Sequence, residues 1–280
     1  MRTVQVQTVT DTVREMCISV NHQLSSDMVC KLTEAVQIEE SPLGKQILGQ
    51  LVENMDIAKS EMIPICQDTG MAVIFIEIGQ DVHFEGGNLE DAINEGVRRG
   101  YVDGYLRKSV VRDPIERENT KDNTPAVIHY SIVPGDGVKI TLAPKGFGSE
   151  NMSRVFMLKP AQGIEGVKEA VLTAVSEAGP NACPPMVVGV GIGGTFEKCA
   201  ILAKKALTRN VQEHSSIPYV ADLEKELLEK INSLGLGPGG LGGRMTALAV
   251  SVETYPTHIA GLPVAVNICC HVNRHIVREI

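Results

Sequence analysis

Residues 64–78 read PICQDTGMAVIFIEI. The first seven place a thiol, an amide, a carboxylate and a hydroxyl (Cys66, Gln67, Asp68, Thr69) in consecutive positions between Pro64 and Gly70. The next eight are almost wholly apolar. A short apolar run bounded by turn residues reads as a buried strand. The fold is therefore expected to present a reactive turn at the mouth of a strand in its core.

The segment before this turn is helical. Val9, Val13, Met16, Cys17 and Val20 recur at helical spacing, and a second helix is expected after Ser26-Asp27. A third starts at Ser41-Pro42, an N-cap followed by proline in the first turn, with Leu43, Ile47, Leu48, Leu51, Val52 and Met55 on one face. Beyond the strand, Asn88 caps a helix in LEDAINEGVRRGYVDGYL. Residues 126–133 and 137–143 flank Pro134-Gly135-Asp136-Gly137 and predict a hairpin. A glycine-rich loop, PKGFGSENMS, leads to a helix over 164–178 that Gly179 terminates. MVVGVGIGG reads as a short buried strand, and TFEKCAILAKKAL and ADLEKELLEKINSL as helices, the second ended by Gly235. TALAVSVET and PVAVNICCHV read as two last strands. No linker, low-complexity segment or long repeat interrupts this pattern. The expected class is mixed α/β (α+β): a helical N-terminal region, then a mixed sheet with flanking helices and Gly/Pro-rich loops. It is expected as one domain over 1–280, with a helical entry at 1–62 and an α/β body at 63–280.

Composition narrows the function. With 280 residues, 43% of them hydrophobic, the chain buries a real core; only 4% are aromatic and none is Trp, so that core is aliphatic. The net charge of −8 and the absence of a long basic run argue against a nucleic-acid or anionic-membrane partner. The N-terminus has no secretory apolar region and no stretch is long enough to span a bilayer, so the expected location is cytoplasmic. Seven cysteines, an odd number, argue against a disulfide framework in such a setting.

The cysteines sort by surroundings. Cys17, Cys30 and Cys199 fall within helices and read as small core hydrophobes. Cys66 precedes Gln-Asp-Thr-Gly, Cys183 stands before Pro184-Pro185, and Cys269-Cys270 end a strand. Neighbouring strand residues point to opposite faces, so one of that last pair faces a given site. Three distant thiolates from 66, 183 and 269/270 suit a soft metal or an iron–sulfur cluster. No CxxC pair announces zinc. Spacing alone leaves open a Cys3His zinc site with His258, and equally three separate buried cysteines. Three thiolates on a four-iron cluster leave one iron without a cysteine, a Lewis acid suited to hydration and dehydration of a hydroxy diacid. Arg107, Lys145 and Arg274 are the cations at hand for such a substrate.

Two other readings compete. Gly189, Gly191 and Gly194 match GxGxxG between a strand and a helix, the local context of a dinucleotide site. Glu213 lies at the right distance for the ribose contact, but EHSSIPY is no strand, so close strand–helix packing is the preferred account. The second is a non-catalytic subunit stabilised by metal.

PICQDTG, the GSENMS of 148–153, NACPP, and TYPTHIAGLPVAVN followed by CxxxR resemble the α subunit of class I iron–sulfur fumarate hydratases and L(+)-tartrate dehydratases. The motifs keep the family's order from the third helix to the end. The resemblance implies an oxygen-sensitive hydro-lyase carrying a [4Fe-4S] cluster with one non-cysteine-ligated iron, its ligands falling on Cys66, Cys183 and Cys270. Cys270 is chosen over Cys269 because Arg274 follows it by four positions. The resemblance assigns Asp68 and His258 to catalysis, and Gln67, Arg107, Gly146 and Gly148 to substrate binding. Phe147 departs from the family's middle glycine. Because the family's single-chain members continue into a second domain, the resemblance implies a separate β subunit and an α2β2 assembly. It implies hydration of fumarate to L-malate, with dehydration of tartrate to oxaloacetate as the alternative.

Overall fold

The computed structural model describes residues 1–280. In chain order its elements are β1 (Arg2–Gln5), α1 (Val6–His22), α2 (Ser26–Ile38), α3 (Pro42–Glu61), β2 (Met71–Gly79), β3 (Val82–Glu85), α4 (Leu89–Asp103), β4 (Val127–Val133), β5 (Val138–Lys145), α5 (Phe147–Glu150), β6 (Arg154–Leu158), α6 (Gly163–Ala178), β7 (Met186–Gly193), α7 (Phe196–Ala206), α8 (Pro218–Asn232), β8 (Ala247–Tyr255), β9 (Leu262–Cys269) and β10 (Ile276–Glu279). The class is the expected mixed α/β, helical first and sheet-rich after. No helix is long and apolar enough to cross a membrane. The chain divides into two compact units: Met1–Ser25, Met55–Gly146 and Arg274–Ile280 form the first, Ser26–Asn54 and Phe147–Asn273 the second.

The first unit is built on a four-stranded sheet in the order β10-β5-β2-β4, with β1 and β3 paired in parallel beside it. β2 is the apolar run of the opening stretch, and it holds a central place because residues Ala72–Ile76 are buried. The hairpin expected from Pro134–Gly137 does not form. β4 pairs with β2 in parallel and β5 pairs with β2 antiparallel, so β2 lies between the two segments. The turn crosses the end of β2 instead: Gly79 N donates to Gly137 O (2.8 Å) and Asp81 N to Gly135 O (3.0 Å). Gly79 is required there, since a Cβ would stand 2.4 Å from Gly135 O. Turn residues specify the reversal but not which strand fills the gap, and the most apolar strand takes the covered position. Helices α1 and α4 pack over this sheet through Val9, Val13, Met16, Cys17, Ile93, Val97 and Tyr101 against Ile74, Ile76, Ile140 and Leu142. Asn88 caps α4 as expected, its side-chain oxygen accepting from Glu90 N (2.8 Å) and Asp91 N (3.1 Å).

The second unit carries the sheet β6-β9-β7-β8, with β7 parallel to β8 and antiparallel to β9. Val188, Val190, Val250, Val252, Val264, Val266 and Ile268 bury one face against α6 and α8. Cys199 and Ala203 of α7 meet Ala265 on the other. The GxGxxG glycines serve this packing. A Cβ on Gly189 would stand 2.2 Å from Ala203 O, and one on Gly191 2.1 Å from Cys199 O. The short helix α5 lies within what the sequence reads as a glycine-rich loop, and the strand β6 follows it in a stretch the sequence reading leaves without an element.

Candidate functional site

The PICQDTG turn belongs to the first unit, where polar contacts hold it in place. Thr69 Oγ1 accepts from Arg107 N (2.9 Å) and donates to Arg107 O (3.2 Å), joining the turn to the segment after α4. Arg107 is exposed, and its Nη1 donates to Gln67 Oε1 at 2.8 Å. Of the five N–H groups of a guanidinium, this uses one. Asp68 is half-buried; its Oδ1 accepts from Gly70 N (3.1 Å), the turn that an aspartate makes with its own backbone. Its Oδ2 faces Gly146, where a Cβ would come within 3.0 Å. Lys145 is buried and its ammonium donates to Gly146 O at 3.2 Å. The first unit thus gathers Cys66, Gln67, Asp68, Arg107 and Gly146.

Two residues of this scaffold, Tyr101 and Asn123, are not legible in the sequence, and a third, Arg274, is legible only as a cation. Tyr101 Oη donates to the carbonyls of Thr69 (2.9 Å) and Gly70 (3.0 Å), and burial pushes its phenol well above its ordinary pKa. The buried Asn123 accepts from Ser109 N and Val110 N and donates to Gly70 O. Arg274, four residues after Cys270, donates from Nη2 to Asp68 O (2.8 Å) and from Nη1 to Asn21 Oδ1 (2.9 Å). At 3% exposure it is no open cation for a diacid, as the sequence offered it, but part of the support. The available signal was a polar tip on an apolar helix face: Tyr101 follows Val97 by one helical turn.

In the second unit, α6 ends at Gly179 and a single 3-10 turn, Gly179–Ala182, delivers Cys183. Cys183 is exposed and holds φ 53 and ψ 64, the left-handed region that disfavours side chains. Such strain in a non-glycine residue points to a role for its side chain. Val187 of β7 pairs with Cys269 of β9, so Cys183 and Cys270 belong to the same end of the sheet. His271 Nδ1 donates to Cys183 O at 3.1 Å. Cys269 is buried in the strand, while Cys270, just past its end, is half-buried. The helix α5, carrying Gly148, packs against the Gly179–Ala182 turn. Two other residues of GSENMS tie it to β9 and α7: Ser153 Oγ accepts from Ile268 N (3.1 Å) and Asn267 Nδ2 (2.7 Å), and Glu150 pairs with Asn267 and Lys204.

His258 is elsewhere in this unit. Gly193 pairs with Tyr255, which sets the loop between β8 and β9 at the opposite end of β7 from Cys183. The eight residues of β7, at about 3.3 Å each, separate the two ends by roughly 23 Å. His258 is exposed, and its Nδ1 accepts from Ala260 N (3.1 Å), which leaves Nε2 as the donor of the neutral ring. A Cys3His zinc site with His258 is therefore overturned, since a metal–thiolate bond reaches only about 2.3 Å. No three His, Cys, Asp or Glu side chains gather around a position for one metal ion.

The remaining thiols are committed. Cys17 is fully buried, which raises its pKa, and Cys199 is buried and donates to Phe196 O at 3.2 Å. Cys30 is not core filler as expected; it is half-buried and donates to Glu34 Oε1 at 3.3 Å. All seven cysteines are free of disulfides. Cys66, Cys183 and Cys270 are the three on irregular backbone with some exposure. An all-thiol set suits iron–sulfur ligation, in which each thiolate binds its own iron, so the residues fit a cluster better than a single ion. A cavity of about 800 Å³ lined by α2, α8 and residues 243–248 contains none of these residues.

The model of the family described as "Fumarate hydratase (Fumerase)" matches residues 10–279. A protein of Methanocaldococcus jannaschii, provisionally named an L(+)-tartrate dehydratase subunit alpha, is 42% identical over 278 residues, 97% of each chain. The L(+)-tartrate dehydratase subunit alpha of Escherichia coli is 33% identical over 273 residues, 96% of this chain and 89% of that one. Its counterpart in Shigella sonnei is 32% identical over the same shares.

Proposed function

Because the chain belongs to the fumarate hydratase family, a family of hydro-lyases, we propose that it is the α subunit of an iron–sulfur hydro-lyase acting on a four-carbon hydroxydicarboxylate. Cys66, Cys183 and Cys270 are its cluster ligands. The observation that carries this reading is the state of Cys183: an exposed thiol held in left-handed backbone, at the same sheet end as Cys270. Packing alone gives no reason to place cysteine in that conformation.

When bound, such a cluster supplies an iron without a cysteine, a Lewis acid for the substrate hydroxyl. The residues of the chain do the rest. Arg107 offers a planar pair of N–H groups to a carboxylate, and its bond to Gln67 fixes the plane of the fork. Asp68 holds the proton that moves with the hydroxyl, its second oxygen being directed by the turn toward Gly146. Gly146 and Gly148 bring backbone close to the substrate because they lack side chains. His258, remote from the cysteine end of its own sheet, serves the site of a second copy of the chain. A separate β subunit supplies the rest of the carboxylate clamp and the C3 base, in an α2β2 assembly in the cytoplasm.

Two substrates stand on comparable support. The family description favours fumarate and L-malate, and the names of the relatives favour L(+)-tartrate. They differ by one hydroxyl, which a few pocket contacts discriminate. The test is to purify the chain together with the β subunit under nitrogen, measure iron and sulfide, and assay L-malate, fumarate, L(+)-tartrate and mesaconate. Activity on one diacid, with about four irons per α chain, is expected. Iron-loaded protein that dehydrates or hydrates none of them refutes the reading.

A further inference from the structure

Arg274 is one of the most buried charges in the chain, at 3% exposure. Its surroundings are unusual for a buried guanidinium. Nη1 and Nη2 reach two neutral oxygens, Asn21 Oδ1 (2.9 Å) and Asp68 O (2.8 Å), and no carboxylate forms an ion pair with it. Nε is buried without an acceptor. Asn21 lies in the last turn of α1, the end of a helix that favours a cation.

The same asparagine reaches the other flank of the turn. Asn21 O accepts from Ile65 N (2.9 Å), and Asn21 Nδ2 donates back to Cys17 O (2.8 Å). Cys66 is thus bracketed. The residue before it hangs on the Asn21 backbone, and the aspartate two residues after it hangs on Arg274, which itself rests on the Asn21 side chain. Tyr101 fixes Thr69 and Gly70 from α4. Among these supports, only Arg274 acts on Asp68 itself.

We propose that Arg274 is a positioning residue: it sets the backbone of Asp68, and through it the carboxylate that handles the proton, without touching substrate. This rests on the role given to Asp68 above. Lysine at 274 reaches one of the two oxygens with a single ammonium and cannot span both, because the fork is what spans them.

The test uses the assembled αβ enzyme with Arg274→Lys, and Asn21→Ala as a neutral second variant that removes the oxygen bound by Nη1. Per iron, Arg274→Lys is expected to lower kcat by one to two orders of magnitude while KM for the diacid stays within about twofold. Asn21→Ala is expected to lower kcat in the same direction, by less. Amide hydrogen exchange in residues 67–70 is expected to speed up at least tenfold in both variants, with exchange in α6 and α8 unchanged. A tenfold rise in KM with kcat retained makes Arg274 a direct carboxylate ligand and overturns the proposal. So does unchanged exchange at 67–70. Exchange is read without substrate, so faster exchange in protein that turns over no diacid refutes the proposed function and leaves the strut standing.

Discussion

Replacing Glu39 with alanine offers a quantitative check on how the second unit is held. Glu39 follows α2, is 1% exposed, and accepts four backbone N–H bonds. Oε1 takes Glu40 N (2.8 Å), Ser41 N (2.8 Å) and Arg244 N (3.0 Å), and Oε2 takes Met245 N (2.7 Å). The loop at Gly243 closes on it so tightly that a Cβ there would stand 2.7 Å from Oε1. Burial alone raises the pKa of this carboxyl, but the four N–H donors outweigh it and hold the group below its usual range. Each bond to a charged acceptor contributes about 1.5–3 kcal/mol, so four give an upper bound of roughly 6–12 kcal/mol. Water reaching the part-buried donors at Glu40 and Ser41 recovers some of this, which leaves a net loss of roughly 4–6 kcal/mol, comparable to the whole stability of a domain. Glu39→Ala is therefore expected to leave the second unit unfolded or marginal in urea titration at pH 7. Glu39→Gln keeps the volume but turns a donor toward a donor, and about 2–3 kcal/mol is expected to be lost. The folded pKa is depressed, so the contribution is present above the unfolded value of about 4.3 and disappears as pH falls through the folded value. The gap between the parent protein and Glu39→Gln should narrow below about pH 4. An alanine variant within 1 kcal/mol (roughly fivefold) of the parent refutes the reasoning, as does a glutamine deficit that is constant with pH.

Three further outcomes are expected. Serine at Cys66, Cys183 or Cys270 removes most iron and sulfide from anaerobically purified protein, whereas Cys269→Ser leaves them near the parent level; full iron in Cys270→Ser refutes the ligand assignment. Mixing inactive His258→Ala with inactive Cys270→Ser subunits restores activity toward a quarter of the parent level, on the order expected when half of random dimers carry one complete site; no recovery on exchange refutes the service of His258 to the site of a second copy. Gly191→Ala drives a Cβ into the Cys199 carbonyl and is expected to cost about 3 kcal/mol in thermal or urea unfolding, a value near zero showing that α7 can move away.

Features that a few neighbouring residues settle among themselves were legible in the sequence. Asn88 and Ser41 cap helices because their side chains reach backbone N–H groups two or three positions on. The run after Gly70 became a central strand because it is apolar on both faces. The glycines of GVGIGG pack a strand on a helix because nothing larger fits. The candidate thiols were separable from core cysteines by the backbone around them, except at Cys30. Tertiary structure alone decided which strand lies beside which, and so which residues meet. The turn at Pro134–Gly137 is correct as a turn, yet β2 fills the gap it spans, since partner choice follows burial over distances that no local signal encodes. Twelve residues separate His258 from Cys270 in the chain, but β9 carries them to opposite ends of its sheet. Arg274 reads as a cation for a substrate until burial and two neutral acceptors turn it into a strut, because a charge's role depends on what surrounds it and not on what precedes it.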